Sequence, residues 1–278
     1  MFYRSNQASP PTGPFGRQNV LMAYVFDPDI VHECSLSSLG KPKPAMFDAF
    51  AQAMEARYPG RLDLDQPWIF SNAGGAMIQM KLYYASIFEY IMIWGTPIGS
   101  EGHSGRHSVG FWDTVIDGEM WYYGEGQFDK RVYRPADRVY VGPNQARAMN
   151  FTTGVWAVEY ARGPLPLSIP FGVADELVST LDFATAAQTL SVYASLIGHH
   201  WRQPHPGGAE PSLLRRSLGT VLASVGPVVT RLVRPPEPDD EIPSDTSPGS
   251  ASTPARPPLS VVPTSTPGRR RTGSAGRG

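Results

Sequence analysis

Short stretches in which hydrophobic and polar residues alternate fill the middle of the chain. They predict strands at residues 110–116, 119–123, 131–134, 138–141, 146–151 and 155–160. Turn residues separate these runs, among them the pair Asp117-Gly118, which favours a tight hairpin. Several short strands at regular spacing are typical of a small antiparallel barrel or jelly roll.

Hydrophobic residues at helical spacing predict helices on both sides of this region. The predicted helices cover residues 28–39, 45–57, 174–179, 183–201 and 213–234. The intervening stretch 68–98 is almost free of charge, and we predict a helix at 76–88 followed by a strand at 89–95. Residues 101–106 are predicted to form a polar loop, because glycine is frequent there.

The strand at residues 154–163 places one carboxylate among apolar side chains. Alternation divides it into two faces, with Trp156, Val158 and Tyr160 on one and Val155, Ala157 and Glu159 on the other. A strand that is apolar on both faces is normally buried on both, and burial raises the pKa of a carboxyl group. The alternative is a Glu159 that turns to solvent or pairs with Arg162.

A second carboxylate, that of Asp113, also lies among apolar side chains on a predicted strand. Asp113 shares a strand face with Phe111 and Val115. If Asp113 and Glu159 face one interior, they share a proton, because two close carboxylates rarely both ionise. The alternative for Asp113 is a hydrogen bond to Thr114 or to a loop amide. Alternation also groups Tyr90, Met92 and Trp94, either as cavity lining or as ordinary core.

Composition excludes several classes of protein. The 278-residue chain has a net charge of −1 and one cysteine, so nothing indicates nucleic-acid binding, a disulfide framework or a thiolate metal cluster. The apolar run at 19–26 is too short to span a bilayer. We expect a disordered leader at 1–18, a linker with an amphipathic basic helix at 204–234, and a disordered tail at 235–278. That helix carries arginines and no acidic residue, which favours binding to a membrane surface. The alternative is that the helix packs on the barrel.

The polar loop offers candidate chemistry of its own. Ser104 lacks the Gly-x-Ser-x-Gly setting of a hydrolase nucleophile. His103 and His107 have the spacing of zinc ligands on a helix, but the loop is too rich in glycine for a helix and no Glu follows His103. We therefore predict no metal, and the alternatives left are a functional loop or a turn whose side chains fix the backbone.

Several motifs stand in an order that resembles a known family, over residues 20–202. They are Trp68-Ile-Phe-Ser-Asn-Ala-Gly-Gly75, Ser86-Ile-Phe-Glu-Tyr90, Gly95-Thr96, Gly102-His-Ser-Gly-Arg106, Asp113-Thr114, Gly142-Pro143, Val158-Glu-Tyr-Ala-Arg-Gly163, Ala174-Asp175 and Ser179-Thr-Leu-Asp-Phe183. Together they resemble the family that holds the fungal sterol C8–C7 isomerase and the sigma-1 receptor. The sequence departs from that family at Ala76, where an aromatic residue is frequent, and we expect no N-terminal transmembrane helix.

The resemblance implies a fold and a site. The fold is mainly β with flanking α: a cupin-like antiparallel β-barrel over residues 19–203, with N-terminal helices and C-terminal membrane-facing helices. Glu159 matches the central acid, Asp113 its carboxylate partner and Tyr90 a tyrosine bonded near it. The family also implies association with the endoplasmic reticulum membrane and self-association, with a trimer as the expected form.

The resemblance leads to two main hypotheses about the function. One is a sterol isomerase that moves the C8=C9 double bond to C7=C8 by carboxylic acid and base chemistry, with no cofactor. Its catalytic residues are Glu159 and Asp113, and its substrate-binding residues are Tyr90, Trp94, Met80 and Trp156. The other is a receptor-like protein that binds cationic amphiphiles or lipids in the same pocket. A metal-dependent cupin oxygenase is a third reading, and it needs a histidine cluster inside the barrel.

Overall fold

The computed structural model describes residues 24–204, 208 and 210–233. The predicted leader at 1–18 and the predicted tail at 235–278 lie outside these residues.

Ten strands form two antiparallel sheets. In chain order they are β1 (Ile69–Ala73), β2 (Ala76–Ala85), β3 (Glu89–Thr96), β4 (Ser100–His103), β5 (Gly110–Gly118), β6 (Met120–Tyr123), β7 (Arg131–Tyr133), β8 (Arg138–Val141), β9 (Ala148–Phe151) and β10 (Val155–Arg162). The six-stranded sheet has the order β1-β2-β3-β10-β5-β8, and the four-stranded sheet has the order β4-β9-β6-β7. β10 therefore lies inside the larger sheet, paired on both edges.

Five helices flank the sheets, as predicted. They are α1 (Pro28–Leu36), α2 (Ala45–Arg57), α3 (Ile169–Val178), α4 (Phe183–Arg202) and α5 (Leu213–Val233). Asp27 caps α1 by accepting from the amide of Asp29 at 2.8 Å, and Asp182 caps α4 through Thr185. The predicted fold class, mainly antiparallel β with flanking helices, is confirmed.

The core forms two layers, one on each face of the six-stranded sheet. The inner layer joins both sheets, and β10 contributes Val155, Ala157 and Ala161 to it. The outer layer joins the sheet to α1 and α2, and β10 contributes Trp156, Val158 and Tyr160. Alternation along β10 thus predicted its two faces correctly, and it directs Glu159 inward.

The predicted helix at 76–88 is wrong, because these residues form β2. A tight hairpin joins β1 to β2, with Ala73 opposite Ala76 and with Gly74 and Gly75 both at positive φ (61° and 83°). Such a turn requires residues that tolerate the left-handed region. The predicted loop at 101–106 is also wrong in part, since its first residues belong to β4.

α5 packs on α4, and both helices carry exposed apolar side chains. The two backbones approach closely at Gly198 and Gly219: a Cβ on Gly198 would lie 2.4 Å from the amide nitrogen of Ala223. Large side chains on the outside include Phe183, Leu190, Leu214, Leu218, Val221 and Leu232. Among the described residues, no helix combines the length and the apolar character that crossing a bilayer requires.

Candidate functional site

Glu159 and Asp113 lie directly opposite each other on neighbouring strands. The register of β10 with β5 pairs these two residues, so their side chains lie on the same face of the sheet. Asp113 is 2% exposed. Glu159 is half-buried by accessible surface, and it lies on the wall of an internal cavity. The solvent-facing Glu159 and its pairing with Arg162 are both excluded, since Arg162 bonds Tyr160 and the carbonyl of Phe26 instead.

Neutral donors surround the acid pair. The hydroxyl of Tyr90 donates to Oε1 of Glu159. The indole Nε1 of Trp94 donates to Oδ1 of Asp113 at 3.1 Å, and the hydroxyl of Tyr122 donates to Oδ2 at 3.4 Å. Asp113 therefore does not bond Thr114 or a loop amide, as its alternative reading required; Thr114 bonds His32.

The surroundings favour one shared proton, held by Glu159. Burial raises the pKa of Glu159 well above its ordinary value, and the charge of Asp113 raises it further. Burial also raises the pKa of Asp113, but hydrogen bonds from Glu159, Trp94 and Tyr122 oppose that shift. Because Asp113 receives more donors, the negative charge is better stabilised on Asp113 and the proton on Glu159.

The acid pair opens into a mainly apolar cavity with an empty volume of about 1070 Å³, its mouth included. Side chains of both sheets and of α3 and α4 line it. Tyr90, Trp94 and Met80, three of the four residues predicted to bind substrate, are in this lining. A mainly apolar pocket with a few converging polar groups is typical of sites for small apolar ligands.

Trp156, the fourth predicted substrate-binding residue, is not in the cavity. It lies on the opposite face of β10, in the outer core layer under α2. Its ring packs against Phe47 at 4.8 Å and against Trp68 at 5.5 Å. The prediction that Trp156 binds substrate is therefore wrong. Side chains alternate along a strand, so Trp156 and Glu159 point to opposite sides of β10.

Three polar side chains at the acid pair or on the cavity wall were missed by the sequence analysis. Tyr122 reaches Asp113 from β6, and Tyr193 and Thr189 reach the cavity from α4. Tyr122 shares a strand face with buried Met120, so alternation could have identified it. Tyr193 lies in the apolar stripe of α4, a pattern that cannot distinguish cavity lining from core.

A further buried carboxylate, Glu89, lies outside the cavity. It accepts from the amide of Val25 at 2.6 Å and from the hydroxyl of Tyr160 at 2.7 Å. Burial raises its pKa, and these hydrogen bonds oppose the shift. Glu89 thus fixes the segment before α1 to the outer face of the sheet.

The side chains of the polar loop bond mostly to backbone. Nδ1 of His103 accepts from the amide of Gly105 at 2.9 Å, and the hydroxyl of Ser104 accepts from the amide of Arg147 at 2.9 Å. Nε2 of His107 lies 3.1 Å from the carbonyl oxygen of Ser104. Within the described part of the chain, no three His, Cys, Asp or Glu side chains are grouped as metal ligands.

Comparison with known proteins gives a family match over most of the chain. Residues 15–203 match the family model "ERG2 and Sigma1 receptor like protein". The chain is 36% identical over 172 residues to the sigma non-opioid intracellular receptor 1 of Danio rerio, which covers 61% of this chain and 78% of the relative. It is also 36% identical over 173 residues to the C-8 sterol isomerase erg2 of Aspergillus fumigatus, with 61% and 72% covered.

Solved structures give a weaker likeness. An RmlC-like cupin from Shewanella frigidimarina is 16% identical and covers 37% of this chain and 94% of its own, with a TM-score of 0.31. The family assignment depends instead on the family match and on the curated relatives. The chain belongs to the family of ERG2 and sigma-1-receptor-like proteins.

Proposed function

We propose that this protein is a sterol isomerase that moves a C8=C9 double bond to C7=C8. The observation that carries the proposal is a pair of carboxyl groups, Glu159 and Asp113, directly opposite each other on neighbouring strands in the wall of an apolar cavity. A sterol offers no leaving group, and this rearrangement needs no change of oxidation state. It needs one proton added at C9 and one removed from C7, the two carbons on either side of C8.

The arrangement of the pair suits both proton transfers. Glu159, kept neutral by burial, donates its proton to C9, and the electrons of the double bond form the new C9–H bond. The tertiary cation left at C8 lies beside the Asp113 carboxylate, which stabilises it. The C7–H bond then breaks, its electrons form the C7=C8 bond, and the proton returns to the carboxyl pair.

Neighbouring side chains orient the pair and shield it from water. Tyr90 fixes Glu159 through the hydrogen bond to Oε1, and Trp94 fixes Asp113. The indole ring of Trp94 also offers a π face to a developing cation, while Met80 supplies apolar wall. These roles need no metal or nucleotide.

A binding role without catalysis is the second candidate. The same pair, with one proton and one charge, suits the cationic amine of an amphiphile as well as a carbocation. The sigma non-opioid receptors of Danio rerio and Gallus gallus are each as similar to this chain as the Aspergillus isomerase, at 36% identity, which favours keeping this candidate.

Incubation with a Δ8 sterol in deuterated water distinguishes the two candidates. An isomerase exchanges its carboxyl proton with solvent before transferring it, so the Δ7 product carries deuterium at C9. Mass spectrometry measures that label. Binding of the sterol without any Δ7 product would support the receptor and contradict the isomerase.

We further propose that α4 and α5 hold the protein on the endoplasmic reticulum membrane. Exposed Leu214, Leu218 and Val221 would enter the lipid surface, and the charges of Arg215 and Arg216 would meet anionic headgroups. Sedimentation with vesicles should increase when phosphatidylserine is added to phosphatidylcholine. Equal sedimentation with both lipid compositions would contradict the proposed contact between the arginines and anionic headgroups.

Self-association as a trimer is the remaining proposal. Phe70 and Met77, on the β1–β2 hairpin, and Ile98 are exposed large apolar side chains outside the helices. An apolar surface of this kind is typical of an interface between copies. Light scattering of the purified protein should give about three times the mass of one chain, and the mass of a single chain would contradict the proposal.

A further inference from the structure

His107 is a histidine on the cavity wall. It is 9% exposed, and it contacts two rings of the same wall: Phe111 of β5 at 5.5 Å and Phe171 of α3 at 4.7 Å between centroids. The acid chemistry proposed above gives it no task. A polar ring held between apolar side chains at one end of a cavity calls for an explanation.

The backbone fixes which nitrogen of the ring carries the hydrogen. Nε2 lies 3.1 Å from the carbonyl oxygen of Ser104, and a carbonyl oxygen only accepts, so Nε2 carries the hydrogen and donates. Burial lowers the pKa of His107, and the ring is therefore neutral at pH 7. Nδ1 is then an acceptor, and no partner for it exists among the residues that the structure describes.

The ring position is also fixed. Gly105, at φ 78°, lies directly against it, and a Cβ there would fall 2.0 Å from Nε2. With Gly105 below and the rings of Phe111 and Phe171 beside it, His107 cannot turn to find another partner without rearranging the wall. An unpaired acceptor held rigidly in an apolar cavity is suited to a ligand that brings a donor.

We propose that His107 binds the hydroxyl group of the ligand, with Nδ1 accepting the hydrogen bond, and so sets which part of the ligand reaches the acid pair. This inference rests on the proposed sterol substrate. Phe111 and Asp113 are two residues apart on β5, which places His107 roughly 10 Å from the acid pair along the wall. A fused-ring skeleton that carries a hydroxyl at one end can bridge that distance.

Other polar groups on the wall are less suited to this task. The hydroxyls of Ser104 and Ser168 donate to the carbonyls of Gly105 and Leu165, at 3.2 and 2.8 Å. Thr189 has a buried hydroxyl without a partner, and it is the competitor to test.

Binding of two matched ligands tests the inference. The purified full chain is titrated with a 3-hydroxy Δ8 sterol and with its 3-deoxy analogue, and tryptophan fluorescence gives each Kd. One hydrogen bond in an apolar cavity corresponds to a preference of up to about tenfold for the hydroxylated sterol. His107→Phe should remove the preference, whereas His107→Gln should keep part of it, because its amide oxygen also accepts.

Several results would overturn the inference. They are equal affinity of the unaltered protein for both ligands, no binding of the hydroxylated sterol, and a preference that survives His107→Phe. Loss of the preference in Thr189→Val alone would assign the hydroxyl to Thr189 instead. Because these measurements are of binding, a protein that prefers the hydroxylated sterol but forms no Δ7 product would contradict the isomerase and leave the role of His107 intact.

Discussion

At the scale of single residues, the hydrogen bonds around the acid pair determine which carboxyl group is neutral. Glu159 receives a hydrogen bond from Tyr90, and Asp113 receives bonds from Trp94 and Tyr122. This unequal supply of donors is a consequence of the sheet register, since β10, β3 and β5 bring the groups together. Alternation in the sequence indicated the two acids and Tyr90, but the hydrogen-bond donors to Asp113 required the fold.

Tyr90→Phe tests the positioning of Glu159. Removing one hydrogen bond should lower kcat about fivefold, since such a bond contributes roughly 1 kcal/mol. The Tyr90 hydroxyl lowers the pKa of Glu159, so its removal should raise that pKa. In the proposed mechanism Glu159 acts in its protonated form, so activity should be lost as the pH rises through its pKa. The alkaline limb of the pH–rate profile should move to higher pH, and a move to lower pH would contradict this role.

At the scale of elements, β10 separates the site from the outer core. Its alternation was readable from sequence because one carboxylate interrupts an otherwise apolar strand. β2 was misread because its alternation is short: Gln79 and Lys81 are the two polar residues of the strand, and residues 82–85 are all apolar and show no period that distinguishes strand from helix. The consecutive glycines Gly74 and Gly75 could have identified β2 as a strand, since such a pair favours a tight hairpin. Both have positive φ in the structure.

Trp156→Ala tests this separation of faces. Trp156 is buried in the layer under α2, so its truncation should cost about 3–5 kcal/mol in the free energy of unfolding. The sterol Kd of the folded variant should remain within about twofold, because the ring does not reach the cavity. Denaturant unfolding and fluorescence titration measure the two quantities.

Trp94→Phe is the matched control for the cavity side. It keeps a ring in the cavity wall but removes the donor to Asp113, so turnover should fall more than stability. If Trp156→Ala weakened sterol binding as strongly as Trp94→Phe, the assignment of the two faces would be wrong.

At the scale of the whole molecule, buried carboxyl groups make stability depend on pH. Glu176 of α3 is 1% exposed, and burial raises its pKa to about 7. The folded chain holds this proton at pH values where the unfolded chain has released it. Stability therefore falls as the pH rises from the unfolded pKa to the folded one, by up to about 3 kcal/mol.

Glu176→Gln should remove that dependence, because glutamine resembles the protonated acid and does not ionise. Its Tm should be close to that of the unaltered protein near pH 5 and higher near pH 8. Glu101→Gln, at an exposed position of β4, is the control and should change neither value. A Tm difference that stays constant with pH would show that Glu176 does not titrate in this range.

The most direct test of the account is the rate at which Glu159→Gln converts a Δ8 sterol to its Δ7 isomer. Glutamine keeps the shape of the side chain but has no proton of suitable acidity to give to carbon. Glu176→Gln is the matched control, because it removes a buried carboxyl group outside the cavity lining. We predict no measurable conversion by Glu159→Gln with the fold retained, and conversion by Glu176→Gln at the rate of the unaltered protein. Full activity of Glu159→Gln would contradict the account.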